Sequence, residues 1–107
     1  MSKSRLEILK DMLENDPTDS FVQYAFAKEL ESSGEYIQAL QAYESLMESD
    51  PEYVGLYYHL AKLYEKLENT DKAIEIYNIG IQVSKRLKDF HALSELNSAK
   101  MNLEMEL

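Results

Sequence analysis

His91 and Glu95 stand four residues apart, a spacing that sets two metal-capable side chains on one face of a helix. Two ligands do not make a site, since zinc takes three or four, so the pair reads as an ion pair on a surface. His59 follows Tyr58 and reads as packing or binding surface. Carboxylates such as Glu29, Glu31 and Glu35 are spread at salt-bridge intervals, the pattern of a solvated helix face and not of an acid/base pair. There is no phosphate-cradling glycine loop, no nucleophile elbow and no His-Glu-x-x-His. The expectation is a protein that is not an enzyme, with no cofactor and no metal.

The elements that carry these residues are bounded by composition. A chain of 107 residues, 45% hydrophobic and 29% charged, has the material for one soluble globular domain and no room for a second full core. The net charge of −9 and the pI near 4.6 argue against nucleic acid and anionic membrane surfaces as partners, because both reward a basic stripe. The only basic cluster is Lys85-Arg86-Lys88. With no cysteine the chain suits a reducing compartment. Glu7, Lys10 and Asp11 interrupt the first apolar stretch, so no signal peptide is read there, and no run nears the roughly 20 apolar residues of a membrane span. A cytoplasmic protein is expected.

Apolar residues recur at helical intervals in six stretches. They predict helices over about 3–15 (Leu6, Leu9, Met12, Leu13), 19–33 (Val22, Phe26, Ala27, Leu30) and 36–49 (Ile37, Leu40, Tyr43, Leu46, Met47). Three more follow over 53–67 (Leu56, Tyr57, Leu60, Ala61, Tyr64), 71–86 (Ile74, Ile76, Tyr77, Ile81, Val83) and 90–105 (Phe90, Leu93, Leu96, Met101, Leu103). Asp16-Pro17 and Asp50-Pro51 stop two of them and Gly34 stops a third. Asp19 or Ser20 is the expected cap of the second helix, and Thr70 or Asp71 that of the fifth. Loops this short make neighbours antiparallel.

The stretches repeat. Asp16-Pro17 and Asp50-Pro51 are 34 residues apart, as are Ala27 and Ala61, Ala39 and Ala73, Leu40 and Ile74, and Tyr43 and Tyr77. One unit reads Tyr57-x₂-Leu60-Ala61-x₂-Tyr64, then Ala73-x₃-Tyr77; the unit before it reads Phe26-Ala27-x₂-Leu30, then Ala39-x₃-Tyr43 and Pro51. With this period and these residues the sequence resembles the tetratricopeptide repeat family. Gln23 stands where the pattern has an aromatic, Lys85 where it has a proline, and Gly80 at a helix-packing position. The resemblance implies an all-α, helical-hairpin solenoid of six antiparallel helices wound as a right-handed superhelix. It divides residues 1–107 into a half-repeat helix at 3–17, repeats at 20–53 and 54–87, and a capping helix at 88–107. In the last, Phe90-x₂-Leu93-Ser94-x₂-Asn97 is read one residue early against the period.

It also implies a function. Stacked pairs in this family present a concave face that grips an extended or helical segment of another protein. Carried over by position, that face is Phe21, Tyr24, Lys28, Glu31 and Ser32 in the first unit and Gly55, Tyr58, Lys62, Glu65 and Lys66 in the second. In the capping helix it is Lys88, His91, Glu95, Ser98 and Ala99. Tyrosine offers a flat apolar contact with a polar tip. The same positions are also compatible with a solvated face. The branch of the family that clamps chaperone tails uses Lys and Asn where this chain has Tyr24, Lys28 and Lys62. A second expectation comes from the last helix, where Phe90, Met101 and Met105 form a stripe offset from Leu93, Leu96 and Leu103. Exposed, that stripe makes a homodimer contact within residues 90–107; folded back on the fifth helix, it is core.

Overall fold

Short polar side chains start four of the helices. The structure, a computed structural model, describes residues 2–107. Helix α1 (Arg5–Asn15) follows Ser4, whose Oγ accepts the Glu7 N–H at 3.1 Å while donating to the Glu7 carboxylate at 3.2 Å. Helix α2 (Ser20–Ser32) follows Asp19, whose Oδ1 accepts the Val22 N–H at 3.1 Å. Helices α3 (Tyr36–Ser49) and α4 (Gly55–Lys66) start without such a bond. Helix α5 (Thr70–Leu87) is capped by Asn69, which accepts from Lys72 at 3.3 Å. Neither Thr70 nor Asp71 is the cap, because the chain turns helical one residue earlier than the polar cluster suggests. Helix α6 (Phe90–Met105) is capped by Asp89, which accepts from Ala92 at 3.1 Å. Each helix lies within two residues of its expected bounds, and no strand occurs among the described residues.

Two devices end the first five helices, and both repeat. At the ends of α1 and α3, the Asp16 N–H donates to the Met12 carbonyl at 3.0 Å and the Asp50 N–H to the Leu46 carbonyl at 2.7 Å, and a proline follows each. Helices α2, α4 and α5 end instead in a left-handed residue, Gly34 (φ 81°), Glu68 (φ 62°) and Lys88 (φ 59°). The next N–H then reaches back five residues, Glu35 to Leu30 and Asn69 to Tyr64 at 2.9 Å and Asp89 to Ser84 at 3.0 Å. Lys85, at the place of the proline, lets α5 run for 18 residues where α3 has 14.

Gly34 and Glu68 occupy the same turn of successive repeats, which yields a paired prediction. A left-handed conformation costs an L-residue roughly 1 kcal/mol that glycine does not bear. No neighbour lies within 4 Å of where a Gly34 Cβ would stand, so the backbone alone decides. Thermal melts should show Gly34→Ala lowering stability by about 1 kcal/mol and Glu68→Gly raising it by a similar amount. Two changes of the same sign would contradict the shared geometry.

Packing divides the chain into two compact units that meet in sequence at Asp50 and Pro51. In the first, α1 packs on α2 and α2 on α3, burying Leu9, Val22, Ala27, Leu30, Ala39, Tyr43 and Leu46. In the second, α4 packs on α5, α5 on α6, and α4 also touches α6; its core includes Tyr57, Leu60, Ala61, Tyr77, Leu96 and Leu103. The alanines of the 34-residue pattern are all fully buried, where a small side chain lets helices approach.

The odd residues of the repeat have structural roles. Tyr57 is buried and its hydroxyl donates to the Pro51 carbonyl; Gln23, at the same position one repeat earlier, donates from Nε2 to the Pro17 carbonyl at 2.6 Å. The amide stands in for the phenol. Gly80 lies under Tyr57, and a Cβ added there would sit 2.6 Å from the Tyr57 Cβ. Ser84 is buried with its hydroxyl satisfied, since it donates to the Gly80 carbonyl at 2.7 Å.

Four apolar expectations are corrected. Ile37 is exposed: it lies two residues before buried Ala39, about 200° away around the helix. Met12 is exposed as well, at the edge of the face centred on Leu9. In α6 the buried residues are Leu96, Ala99 and Leu103, so the early register built on Phe90 and Leu93 does not hold. Phe90, Met101 and Met105 are exposed and are not core against α5, because the helical twist carries them to the side opposite Leu96 and Leu103. No helix among the described residues is long and apolar enough to cross a membrane.

Candidate functional site

Tyr24, Lys28 and Glu31 fall at i, i+4 and i+7 on α2, so they share a face. Lys28 Nζ lies 5.4 Å from the Tyr24 ring centroid, over the ring. Tyr24 meets the Tyr43 ring of α3 edge-on, with centroids 6.5 Å apart. The Tyr43 hydroxyl then donates to Glu31 Oε1 at 2.9 Å. The same set stands 34 residues on: Lys62 Nζ is 5.8 Å from the Tyr58 ring centroid, and the Tyr77 hydroxyl of α5 donates to the Glu65 carboxylate. Lys62 also approaches Glu65 at 3.8 Å. In each repeat the second helix supplies the tyrosine that holds a carboxylate of the first.

Each set borders an open cleft within its own unit. In the second unit a cleft of about 320 Å³ between α4 and α6 is lined by Tyr58, Lys62, His91, Glu95 and Ser98, with Ala99 buried at its floor. His91 Nε2 lies 2.6 Å from Glu95 Oε1. In the first unit a cleft of about 240 Å³ between α1 and α2 is lined by Phe21, Tyr24, Lys28 and Ser32, together with the Arg5–Glu29 ion pair at 3.2 Å. A third cleft, lined by Leu13, Pro17, Phe26 and Ala42 among others, holds no charged side chain. Phe21 and Lys66 are exposed on their helices, and Lys66 does not line the α4–α6 cleft. Among the described residues no three His, Asp or Glu side chains gather where a metal could sit.

Glu31 and Glu65, expected to face a partner, are half-buried and tied to hydroxyls of their own repeats. Sequence reasoning missed Ser94 and Asn102 in one cleft and Arg5 and Glu29 in the other. Ser94, Ser98 and Asn102 form an i, i+4, i+8 ladder along α6. Arg5 carries no such signal, because it comes from the helix before the repeat.

The paired tyrosines have a measurable signature. Burial, followed by the charge and hydrogen bond of Glu31, raises the Tyr43 phenol well above the ordinary 10.0; burial, followed by the hydrogen bond and charge of Glu65, does the same for Tyr77. A raised folded value means stability that is present in full below pH 10.0 and is eroded above it, as the unfolded chain's phenols ionise. Tyr43 and Tyr77 should stay protonated until alkaline unfolding. Tyrosinate absorbance would then show a late step that coincides with loss of the helical circular-dichroism signal; two early, independent titrations would refute the pairing.

The family model of the tetratricopeptide repeat matches residues 30–93, more than half of the chain. The chain belongs to the tetratricopeptide repeat family. A tetratricopeptide repeat domain protein from Salinibacter ruber, solved by solution NMR, is 47% identical, with 83% of this chain and 90% of that chain covered and a TM-score of 0.80. The TPR2B domain of yeast Sti1, solved as a complex with pHsp70, is 15% identical over 95% of this chain and 82% of that one, with a TM-score of 0.87. PcrH, solved with the chaperone-binding region of PopD, is 17% identical over 94% and 77%, with a TM-score of 0.86. These last two establish a shared fold, that of the all-α helical-hairpin solenoids. No curated protein matches the chain. The two Tyr–Lys–Glu sets occupy equivalent positions of successive tetratricopeptide repeats, 34 residues apart.

Proposed function

We propose that this tetratricopeptide repeat protein is a non-catalytic, cytoplasmic interaction module that holds an extended or helical segment of another protein against Tyr24 and Lys28 and against Tyr58 and Lys62. The observation that carries the reading is the duplication: the same tyrosine under a lysine beside an open cleft in each unit. A ring held in place loses little entropy on binding, and aromatic residues dominate interface energetics. Phe21, Lys66 and His91 border these faces and are assigned as secondary contacts. Two structures of this fold, those of the Sti1 domain and PcrH, contain a segment of a partner protein, which supports the reading by analogy of fold. The acidic chain favours a neutral or basic partner.

Affinity capture followed by mass spectrometry names the partner, and calorimetry with the purified partner segment tests the site. Tyr24→Ala with Tyr58→Ala should weaken binding at least about tenfold and leave the helical circular-dichroism signal in place. Wild-type affinity in that double variant would remove the reading. A second reading, self-association through α6, is favoured by one observation, the exposure of Phe90, Met101 and Met105.

A further inference from the structure

The wall that α6 gives to the α4–α6 cleft carries a row of hydrogen-bonding side chains. Ser94, Ser98 and Asn102 stand on it at four-residue steps, with Ala99 buried at the floor beside them. Ser84 turns its hydroxyl back to the Gly80 carbonyl of its own helix, whereas no described residue bonds the side chains of Ser94, Ser98 or Asn102. A hydroxyl can donate or accept, and the Asn102 amide can do both at once. Tyr58 and Lys62 form the opposite wall. Spacing and volume say what such a row fits. Four residues of helix rise about 6 Å. An extended chain repeats every two residues, about 6.6 Å, and presents the N–H and C=O of every second residue along one edge. Two steps of the row and two of the chain stay in register to within about 1 Å, so three successive edge residues can meet Ser94, Ser98 and Asn102. An α-helix uses its N–H and C=O groups internally and brings only side chains. It is also too wide. Over the roughly 12 Å of the row, the inner half of a helix about 10 Å across fills roughly 470 Å³. The inner half of an extended chain fills roughly 290 Å³. The cleft holds about 320 Å³.

We propose that the α4–α6 cleft takes a β-extended stretch of about five residues of the partner protein, its backbone bonded by Ser94, Ser98 and Asn102 and its inward side chains laid against Tyr58. The inference rests on the interaction-module reading and names the conformation, and the part of the partner, that this cleft recognises. Because the backbone carries the bonds, the partner is selected through every second side chain only. The α1–α2 cleft has no such row, and its lining includes the Arg5–Glu29 ion pair instead.

Random peptides displayed on phage, selected on the wild-type protein and counter-selected on Tyr58→Ala, supply the probe. The selected peptides should agree with one another at alternate positions. Ser94→Ala, Ser98→Ala and Asn102→Ala combined should bind the synthetic peptide at least about tenfold more weakly by calorimetry. Alanine favours a helix over serine and asparagine, so this variant keeps its helical signal. Asn97→Ala, on an exposed part of α6 outside the cleft, should bind like wild type. Replacing single peptide amides by esters removes one N–H at a time, and affinity should fall at every second residue of the bound stretch. NMR of the bound peptide should show the strong sequential Hα–HN contacts of an extended chain. A Tyr58-dependent peptide that binds as a helix, that ignores the triple variant, or that tolerates every ester overturns this inference and leaves the interaction reading standing. A library without any Tyr58-dependent peptide overturns it as well, while calorimetry of the captured partner with the Tyr24 and Tyr58 double variant decides the interaction reading separately.

Discussion

Tyr77→Ala should cost the protein about 3–5 kcal/mol, the range for emptying a large, fully packed aromatic site. Tyr77 is completely buried, so its ring has no solvent-exposed portion to discount. That loss is a large fraction of the roughly 5–15 kcal/mol that holds a small domain folded. The substitution also strips the Glu65 carboxylate of its hydroxyl donor. Tyr77→Phe separates the two effects. It keeps the ring and removes only the hydrogen bond, and Glu65 retains Lys62 at 3.8 Å and partial access to water, so the loss should be near 1 kcal/mol. Urea unfolding of the three proteins gives the comparison. If Tyr77→Ala costs no more than Tyr77→Phe, the packing account of this position is wrong.

The repeat was legible in the sequence because its signals are local. A proline after aspartate, a glycine at a helix end and an alanine where helices cross each declare a backbone need from one residue type, and the 34-residue spacing multiplies them. The faces of α2 and α4 followed from the same register. What stayed hidden depends on contacts made by other elements. Asn69 outcompetes Thr70 and Asp71 as a cap through a one-residue difference in where the chain turns helical, which three adjacent cap-forming residues cannot settle. Helix α6 has apolar residues on two sides, so only its packing against α4 and α5 reveals that Leu96 and Leu103 are inside and Phe90, Met101 and Met105 outside. The candidate site is divided likewise. Tyr24, Lys28, Tyr58 and Lys62 could be read by position. That Glu31 and Glu65 serve tyrosines of the next helix could not, because a hydrogen bond spanning twelve residues and a turn leaves no local mark.

Gly80→Leu should be the more damaging of the two changes argued here, and a second substitution should partly rescue it. A Cβ at residue 80 would lie 2.6 Å from the Tyr57 Cβ and 3.0 Å from Leu96 Cδ1. The Tyr57 Cβ is fixed to its backbone, so a rotamer change gives no relief and α4 and α5 must separate. Even Gly80→Ala, which gains about 1 kcal/mol of helix propensity, should lose more than that to overpacking, typically about 1–3 kcal/mol. Leucine adds three further carbons to the same gap. Yet Leu46 occupies the equivalent position of the first repeat and is fully buried, and the residue there equivalent to Tyr57 is the smaller Gln23. The two repeats solve one packing problem with opposite assignments of large and small. Gly80→Leu combined with Tyr57→Gln should therefore be more stable than Gly80→Leu alone, a coupling of at least about 1 kcal/mol in a double-mutant cycle. The introduced glutamine would also be placed to donate to the Pro51 carbonyl, as Gln23 donates to Pro17. Additive effects in the cycle would mean that residues 57 and 80 do not share a space, and the compensation between repeats would be coincidence.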